Sequence, residues 1–355
     1  MNNRLLLSVK YIMLKAFVYF YYRYKIRNEK RTNLKLDNKN EYRKDISRFW
    51  KNQKLRISKN WHFLYSSFNG IYSPEYIPED LFYGTIEPIF NNFDLVQAYS
   101  DKNVLPSLFP EIKQPKTLLH NKNGYWFSSS NEAIDSNSIF EYIKYHRVVV
   151  KPSIDSGRGK NFYSIEISQN TFANFLSIVN CLRKDFIIQE FVVQSRDLSA
   201  FNESSVNTIR VMSLLIGNRV HIVSSHLRIG VEGHNNDHLG FVCGINSKGE
   251  LGDFFRETKT GRKIDNPVAQ SIGNTIEGID KIHSSVMNAH MKIPYFRIVS
   301  WDFSLNTDNE PVLIEINLRW QGINNHQYVN GPLFGAYTQD VLREVKHNKT
   351  NSYHT

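Results

Sequence analysis

Two apolar runs in the middle of the chain, NTIRVMSLLI (residues 207–216) and RVHIVSSHLRI (residues 219–229), meet at Gly217-Asn218. β-Branched and aliphatic runs of this kind predict strands, and a Gly-Asn dipeptide between them predicts a tight β-hairpin. RVVVKPS and FYSIEI, which flank IDSGRGKN, predict a second hairpin. Strands follow one another with few helices between them, so the chain lacks the regular alternation of a doubly wound parallel sheet. The sequence predicts an α+β protein with mixed or antiparallel sheets.

The remaining segments contain fewer clear patterns. SQNTFANFLSIVNCLRK has apolar residues at helical spacing, and we expect further helices at about residues 267–292 and 336–346. The stretch from residue 61 to about 114 contains Gly70, Pro74 and Pro78, which are turn signals, and predicts an irregular chain. No internal repeat or low-complexity tract is present in the 355 residues.

Positive charge is concentrated at one end of the sequence. The first 60 residues hold 17 Lys and Arg against 4 Asp and Glu, a net charge of +13, whereas the formal charge of the whole chain is +10. The other residues are therefore slightly acidic, which argues against a nucleic-acid partner for the protein as a whole. Only Cys181 and Cys243 are present, so no disulfide framework is expected. The sequence instead predicts a reducing compartment such as the cytoplasm.

The N-terminal segment MNNRLLLSVKYIMLKAFVYFYYRYKIRNEKR mixes apolar and basic residues. Lys10 and Lys15 interrupt it, so a membrane-spanning helix is disfavoured, and no small-residue cleavage site follows the apolar part. Two interpretations stay open. The segment is a helix on an anionic membrane surface, or it is a helix packed on the protein with its Lys and Arg heads in water.

Two neighbouring apolar runs near the C-terminus each contain an acid. RIVSWDFSL carries Asp302, and PVLIEINLRW carries Glu315 with Asn317 two residues on, which places the last two on one face of a strand. Two carboxylates and an amide oxygen suit Mg²⁺ or Mn²⁺ held together with phosphate oxygens. The alternative is that the acids are exposed on an edge strand or paired with arginines, for which Arg297 and Arg319 are the candidates.

Lys151 ends the strand RVVVK and is followed by a loop rich in serine and glycine. A lysine at a strand end is a fixed point charge for a phosphate, and the backbone N–H groups of such a loop suit phosphate oxygens. The loop residues in question are Ser153, Ser156, Gly157 and Gly159. The spacing is not that of a P-loop. An ordinary hairpin with a lysine at its base is the alternative.

Further polar residues lie at strand ends or within strands. Gln189 and Glu190 lie in the run DFIIQEFVV, where the predicted strand ends and backbone groups between apolar walls suit an adenine edge. Asp197, seven residues after Glu190, is placed to bind ribose hydroxyls. Asn207, Arg210 and Arg228 fall on the two long strands. Arginines in strands form either buried ion pairs or anion clamps. His234 and His238 lie four apart in a Gly/Asn-rich loop, which is a poor zinc site.

Taken together, the motifs DKN (residues 101–103), VVVKP, the Gly/Ser loop, QEFV, NTIR, LRIG, WDF and IEIN resemble an ATP-grasp enzyme. More narrowly, they resemble the sugar-transfer-associated ATP-grasp family, to which the teichuronopeptide-biosynthesis type is related. The resemblance covers roughly residues 66–345. It implies two α+β subdomains that grip ATP, at about residues 116–192 and 193–347. It also implies a small preceding domain at residues 61–115, after the basic N-terminal segment 1–60.

The resemblance also implies roles for individual residues. Lys151, Arg210 and Arg228 would be the catalytic cations. Asp302, Glu315 and Asn317 would bind the metal. The nucleotide would be held by Lys102, Lys151, Ser153, Ser156, Gly157, Gly159, Gln189, Glu190, Phe191, Val192, Asp197 and Asn207. The segment NNDHLGFVCG departs from the Asp-Asn pattern of such proteins, and Asp237 is the residue that would fill that role.

The implied activity is an ATP- and Mg²⁺-dependent carboxylate–amine ligase that works through an acyl phosphate. The expected setting is the assembly of a bacterial capsule or O-antigen, with a sugar acid, aminosugar or amino acid as substrate. One alternative is a phosphotransferase that acts on a sugar or a lipid-linked carrier. Another is a non-catalytic nucleotide-binding subunit attached to a membrane. The expected location is the cytoplasm, with possible attachment to the inner face of the cell membrane.

Overall fold

The computed structural model describes residues 3–33, 40–154, 161–230, 240–258, 260–265 and 274–351. Side chains of the first helix are described from residue 13 to 28, and those of the last helix up to residue 348. The predicted loop residues Ser156, Gly157 and Gly159 therefore lie outside the described residues, as do His234, Asp237 and His238.

Two antiparallel sheets carry the described part of the fold. The first has five strands in the order β2-β1-β5-β3-β4, and the second has seven in the order β10-β9-β8-β7-β6-β11-β12. Every pair of neighbouring strands in both sheets is antiparallel. The strands are β1 Thr117–Lys122, β2 Tyr125–Ser128, β3 Arg147–Pro152, β4 Tyr163–Glu166, β5 Phe186–Glu190, β6 Thr208–Ile216, β7 Arg219–Ile229, β8 Phe241–Ile245, β9 Phe255–Glu257, β10 Lys263–Ile264, β11 Ile298–Leu305 and β12 Pro311–Asn317. The α+β prediction is confirmed.

Both predicted hairpins are present. β6 pairs with β7 through Ile216 and Arg219, and the two residues between them, Gly217 and Asn218, have φ values of 57° and 60°. Positive φ at both central residues is what a two-residue turn needs to match the twist of its strands. β3 pairs with β4 over four residue pairs, from Arg147 and Glu166 to Val150 and Tyr163.

Helices surround the sheets and fill most of the chain before β1. The α-helices are α1 Asn3–Asn33, α2 Asn40–Asn52, α3 Asn60–Asn69, α4 Glu79–Leu81, α5 Glu87–Phe90, α6 Val96–Ser100, α7 Leu105–Leu108, α8 Ile139–Ile143, α9 Gln169–Leu182, α10 Arg196–Ser199, α11 Ile279–His290, α12 Ile323–Asn330 and α13 Thr338–Asn351. A π-helix, Phe82–Ile86, joins α4 to α5, and short 3₁₀ turns occur at Phe93–Leu95, Ser136–Ser138 and Gly335–Tyr337.

The prediction of an irregular chain between residues 61 and 114 was wrong. Much of this segment is helical, in five short α-helices with the π-helix among them. The turn signals are real, because Gly70 ends α3 at a φ of 77°. Helices form on either side of those signals, since Trp61, Phe63 and Phe82 are fully buried there and tertiary packing sets the local conformation.

One hydrophobic cluster joins the N-terminal helices to the second sheet. It contains Val18 and Ile46 from the first two helices, Trp61 from α3, and Met212 from β6, together with Leu342 from α13. Residues before 61 and after 193 therefore share a core. The predicted boundaries at 60 and 115 stay predictions, and they do not separate independent cores.

α1 presents apolar side chains on two opposite faces. Val18, Tyr22 and Ile26 are 9% exposed or less and pack on the protein. About 180° around the helix, at 100° per residue, lies a second stripe whose side chains are 61–69% exposed: Met13, Phe17, Phe20 and Tyr24. Among the described residues, no helix is long and apolar enough to cross a membrane.

Candidate nucleotide and metal site

A row of polar residues crosses the second sheet. Glu315 on β12 lies opposite Asp302 on β11, Asp302 opposite Arg210 on β6, and Arg210 opposite His226 on β7. Directly paired residues in an antiparallel sheet project to the same face. The register shifts beside Asp302, between the pairs Asp302–Glu315 and Phe303–Leu313. Bulges of this kind are common next to functional sites, where they redirect side chains.

Asp302 is almost fully buried and is surrounded by cations. Arg210 binds it with both ends of its guanidinium, Nε to Oδ1 at 2.6 Å and Nη2 to Oδ2 at 2.5 Å. Arg228 Nη1 lies 3.6 Å from Oδ2, and Asn317 Nδ2 donates to the same oxygen at 3.2 Å. The carboxylate thus contacts two guanidinium groups, and Arg210 binds it in the bidentate arrangement typical of arginine–carboxylate pairs. Neither Arg297 nor Arg319, the expected alternative partners, is paired with it.

Glu315 and two lysines form the other end of the row. Lys102 Nζ lies 3.1 Å from Glu315 Oε2. Lys151 is buried, and its pKa falls to about 7, first because of desolvation and then because of the nearby charge of Lys102, while Glu315 opposes both effects. Burial and the Lys102 charge both disfavour the charged form of Lys151, so an additional anion beside Lys151 would favour that form. Triphosphate oxygens supply such charge.

Lys102 is tied to the start of the predicted phosphate loop. Its backbone N–H donates to the carbonyl of Ser153 at 2.9 Å. Ser153 is fully buried, and its Oγ has no hydrogen-bond partner within the described part of the chain. A buried hydroxyl without a partner is costly. This oxygen is thus available to a ligand, and the sequence predicts that the ligand is phosphate.

The predicted adenine hinge lies at the end of β5. The Glu190 carboxylate binds Lys116 Nζ at 2.8 Å and His146 Nδ1 at 3.0 Å. The backbone N–H of Glu190 donates to the carbonyl of Lys116 at 2.8 Å, and that of Phe191 to the carbonyl of Arg147 at 2.9 Å. These two N–H groups are thus already bonded. Val192, the last predicted hinge residue, follows them after the strand ends.

Two other predicted nucleotide residues, Gln189 and Asn207, hold the backbone in place. Gln189 Nε2 donates to the carbonyl of Pro115 and to Thr117 Oγ1, both at 3.2 Å. Asn207 is fully buried, and its Nδ2 donates to the carbonyls of Leu198 and Asn202 at 2.8 Å. Its Oδ1 has no partner in the described residues.

Asp197 lies in the first turn of α10 and is half-buried. Its Oδ2 accepts from the backbone N–H of Glu277 at 3.4 Å. That long contact leaves the carboxylate able to accept from another donor. The structure therefore brings together the cations and acids of the predicted site, whereas Gln189 and Asn207 act mainly on the backbone around it.

A pair of buried histidines extends the row, and the sequence did not reveal it as a pair. His226 Nδ1 lies 3.2 Å from His326 Nδ1, and the latter also lies 2.8 Å from Ser224 Oγ. Burial and the charges of Arg210 and Arg228 hold the pKa of both rings well below the usual range, so both are neutral. The 100-residue separation of the two histidines left no local signal for the pairing.

The tautomers of this pair follow from its geometry. A hydrogen bond between two Nδ1 atoms of neutral rings requires a proton on only one of them. The ring that donates has a bare Nε2, and the ring that accepts carries N–H at Nε2. Both Nε2 atoms lack partners among the described residues. The pair thus offers one donor and one acceptor beside the two arginines.

The donor set fits a hard divalent cation. Asp302, Glu315 and Asn317 bring two carboxylates and an amide to one sheet face, and oxygen donors of this type are preferred by Mg²⁺. In the described residues no group of three or more His, Cys, Asp or Glu side chains is arranged to hold a metal ion.

Comparison with protein-family models matches residues 86–342 to the family described as sugar-transfer associated ATP-grasp. The match spans well over half of the chain. The protein belongs to the sugar-transfer-associated ATP-grasp family. The matched range contains the lysines, both sheets and the acid row, and it begins after α1, α2 and α3. The two antiparallel sheets of this family member are those of the expected ATP-grasp fold. A search of curated proteins finds no match.

Solved structures similar to this ATP-grasp chain include three enzymes. Biotin carboxylase from Campylobacter jejuni is 13% identical with a TM-score of 0.44, and covers 71% of this chain and 46% of its own. VanG D-Ala:D-Ser ligase from Enterococcus faecalis is 11% identical with a TM-score of 0.42, and the alignment covers 70% of this chain and 61% of the ligase. L-amino acid ligase from Bacillus licheniformis is 13% identical with a TM-score of 0.37, and the alignment covers 64% of this chain and 42% of that ligase. The aligned part spans about half the length of these proteins.

Proposed function

We propose that the protein is an ATP- and Mg²⁺-dependent ligase that joins a carboxylate to an amine. The observation that carries the proposal is the row in which each acid has a cation partner, Asp302 with Arg210 and Glu315 with Lys102. In such pairs, a metal ion can replace the side-chain cation as the partner of the carboxylate. A metal ion would take the carboxylates, and the released cations would bind phosphate oxygens.

The proposed reaction has two steps. An oxygen of the substrate carboxylate attacks the γ-phosphorus of ATP, ADP leaves, and an acyl phosphate forms. The amine then attacks the acyl carbon, phosphate leaves with the C–O bonding electrons, and the amine nitrogen loses a proton. Each step develops negative charge on oxygen, which fixed cations in a water-poor site stabilise.

Residues of this chain supply that charge in distinct places. Lys102 and Lys151 hold the transferred phosphoryl group, and the unpartnered Ser153 Oγ adds a hydrogen bond. Arg210 and Arg228 hold the substrate carboxylate and its acyl phosphate. Magnesium, when bound by Asp302, Glu315 and Asn317, neutralises phosphate charge. No protein nucleophile is needed.

The family description, which associates these proteins with sugar transfer, supports a proposal for the biological setting. We propose a role in the assembly of a bacterial surface polysaccharide, such as a capsule or O-antigen. A sugar acid, aminosugar or amino acid would then be a substrate. Product formation would couple ATP hydrolysis to an amide bond on a sugar.

We further propose that α1 holds the enzyme on the inner face of the cell membrane. Its outward stripe of Met13, Phe17, Phe20 and Tyr24 lies within a segment of high positive charge, a combination suited to anionic lipid surfaces. Replacing Phe17 and Phe20 by serine should release the enzyme from anionic vesicles and leave its thermal stability unchanged. Equal binding of wild type and variant to anionic vesicles would contradict the proposed membrane attachment through α1.

The test of the activity measures ADP, phosphate and amide product from ATP and Mg²⁺. Uronic acids serve as carboxylates, and aminosugars or amino acids serve as amines. We expect ADP and phosphate only when both substrates are present, and none with Glu315→Ala. ADP formation that survives this change would refute the site. Transfer of the γ-phosphate to a sugar without any amine requirement would instead identify a phosphotransferase.

A further inference from the structure

A cavity of about 220 Å³ opens on the second sheet beside the acid row. Its floor includes Val242 on β8 and Arg256 on β9, and α3, α12 and the segment after β9 form its walls. The lining residues used below are Phe68, Arg256, Asn324, Asn325 and Tyr328. None of them was predicted from the sequence, and the proposed function gives the cavity no role.

The cavity lies on the catalytic face of the sheet. Arg228 pairs with Val242, and Val242 pairs with Arg256, so all three side chains project to the same side. Two strand spacings separate Arg228 from Arg256, or about 10 Å between their backbones. Arg228 is the arginine whose Nη1 lies 3.6 Å from Asp302.

Arg256 is a half-buried cation without an acidic partner in the described residues. Its Nη1 donates to the carbonyl of Gly261 at 2.7 Å, and its Nε is buried without a partner. The guanidinium carbon lies 5.1 Å from the ring centre of Phe68 and 5.0 Å from that of Phe254. Desolvation alone lowers the pKa of this arginine, and no carboxylate offsets it.

Glu257, which follows Arg256 in the chain and lines the cavity, is already paired. Glu257 lies 3.7 Å from Arg262, and the cavity's other cation, Lys25, binds Glu79 at 2.9 Å. A half-buried guanidinium that lacks such a partner is a binding site for an anion, since a carboxylate or phosphate satisfies its fork of donors.

The walls around Arg256 suit a small hydroxylated molecule. Phe68 and Tyr328 stack with ring centres 4.2 Å apart, and Asn324 and Asn325 bring amide groups from the first turn of α12. The volume is below the roughly 300–1,000 Å³ of pockets for drug-sized ligands. It therefore fits one sugar ring or one amino acid.

We propose that this cavity binds the acid group of the amine acceptor, so that the acceptor is an amine that also carries a carboxylate. The inference rests on the proposed function. The carboxylate that is activated must lie at the phosphates, beside Lys102 and Lys151. A carboxylate bound at Arg256 is therefore a second carboxylate, distinct from the one that is activated. It belongs to the amine acceptor, which approaches from the β9 side of the sheet.

Matched pairs of amines test the proposal. Glucosaminuronic acid is compared with glucosamine, and alanine with alaninamide, because each pair differs only in the acid group. Binding of each compound in the presence of MgADP is measured by isothermal titration with wild type, Arg256→Gln and the control Arg262→Gln. We expect wild type to prefer an acid-bearing amine by about 10–100-fold, the effect of one charge-assisted hydrogen-bonded pair.

Arg256→Gln should lose that preference and still bind the neutral amine as wild type does, whereas Arg262→Gln keeps it. Equal affinity for both members of each pair in wild type, or an unchanged preference in Arg256→Gln, would overturn the proposal. Equal stabilisation of all three proteins by MgADP verifies that they are folded. Because binding is measured without turnover, failure of the ligase assay alone would reject the proposed function and not this cavity.

Discussion

Two groups of acids occupy this protein, and they differ in what neutralises them. In the second sheet, the buried Asp302 and the partly exposed Glu315 each have a cation within 3.1 Å. In the helical segment between residues 79 and 90, Glu79 and Glu87 are buried and the Asp80 side chain is 7% exposed, but among the described residues only Glu79 has a cation this close. In sequence, both groups are simply acids inside apolar runs. The partners that separate a charged site from a neutral one come from distant parts of the chain.

The helical group shows three degrees of neutralisation. Lys25 Nζ binds Glu79 at 2.9 and 3.1 Å. Arg23 Nε lies 3.8 Å from Asp80, too far for a hydrogen bond. Glu87 has no hydrogen-bond partner for either oxygen in the described residues, and burial raises its pKa to about 8. At neutral pH, Glu87 is thus mainly a neutral acid, unlike Asp302.

The largest difference between the two groups should appear in activity. Glu315→Gln removes one charge of the proposed metal site and the carboxylate that Lys102 contacts, so we expect ADP formation to fall at least about 1,000-fold, or about 4 kcal/mol. Glu87→Gln keeps the shape and neutrality of a buried group, and turnover should stay within about twofold. The measurement is initial-rate ADP release at saturating MgATP. A comparable loss in both variants would remove the distinction drawn here.

Sequence patterns predicted the strands and the acids of the site because both follow local rules. Glu315 and Asn317 share a face through the two-residue repeat of a strand, and the turn at Gly217-Asn218 follows from its residue types. The partners of the acids were predicted less well. Arg210 was identified as an arginine in a strand, but its pairing with Asp302 depends on strand order, which sequence periodicity does not specify.

Contacts from the N-terminal helices were not predictable in the same way. The Tyr83 hydroxyl accepts from the backbone N–H of Gly322 at 3.0 Å, and Gly322 lies shortly after the end of β12. The ring of Tyr22 on α1 stacks on Tyr83 at 5.0 Å. For α1 itself, the sequence left two interpretations because apolar residues occur on both faces. Val18, Tyr22 and Ile26 confirm packing on the protein, while the outward stripe keeps membrane binding as a proposal.

Stability should respond most strongly to the pair that anchors α1. Glu79→Gln leaves the Lys25 ammonium without its carboxylate, and we expect the free energy of unfolding to fall by about 2–3 kcal/mol. This is less than for a fully buried pair, because Lys25 is 30% exposed. Urea denaturation measures the change. Lys25→Met and the double variant complete a cycle, and a coupling energy near zero would show that the pair does not stabilise α1.

Glu87→Gln should change the pH dependence of stability. The folded carboxyl has a pKa of about 8, above its unfolded value, so the folded state binds this proton more tightly. Stability from this group is complete below the unfolded pKa and is lost as pH rises towards 8. Between pH 5.5 and 7.5 we expect the variant to gain about 2–2.5 kcal/mol relative to wild type. Parallel stability curves for the two proteins would show that Glu87 is ionised or solvated after all.

The smallest effect is expected at Asp80. Its contact with Arg23 is long, and the Arg23 side chain is 31% exposed, so water can solvate the guanidinium when the carboxylate is removed. Desolvation already raises the pKa of Asp80, which shows that its charge is poorly compensated. Asp80→Asn should therefore change the unfolding free energy by no more than about 1 kcal/mol. A loss as large as that of Glu79→Gln would mean that distance does not rank the two pairs, and that Arg23 anchors α1 as firmly as Lys25 does.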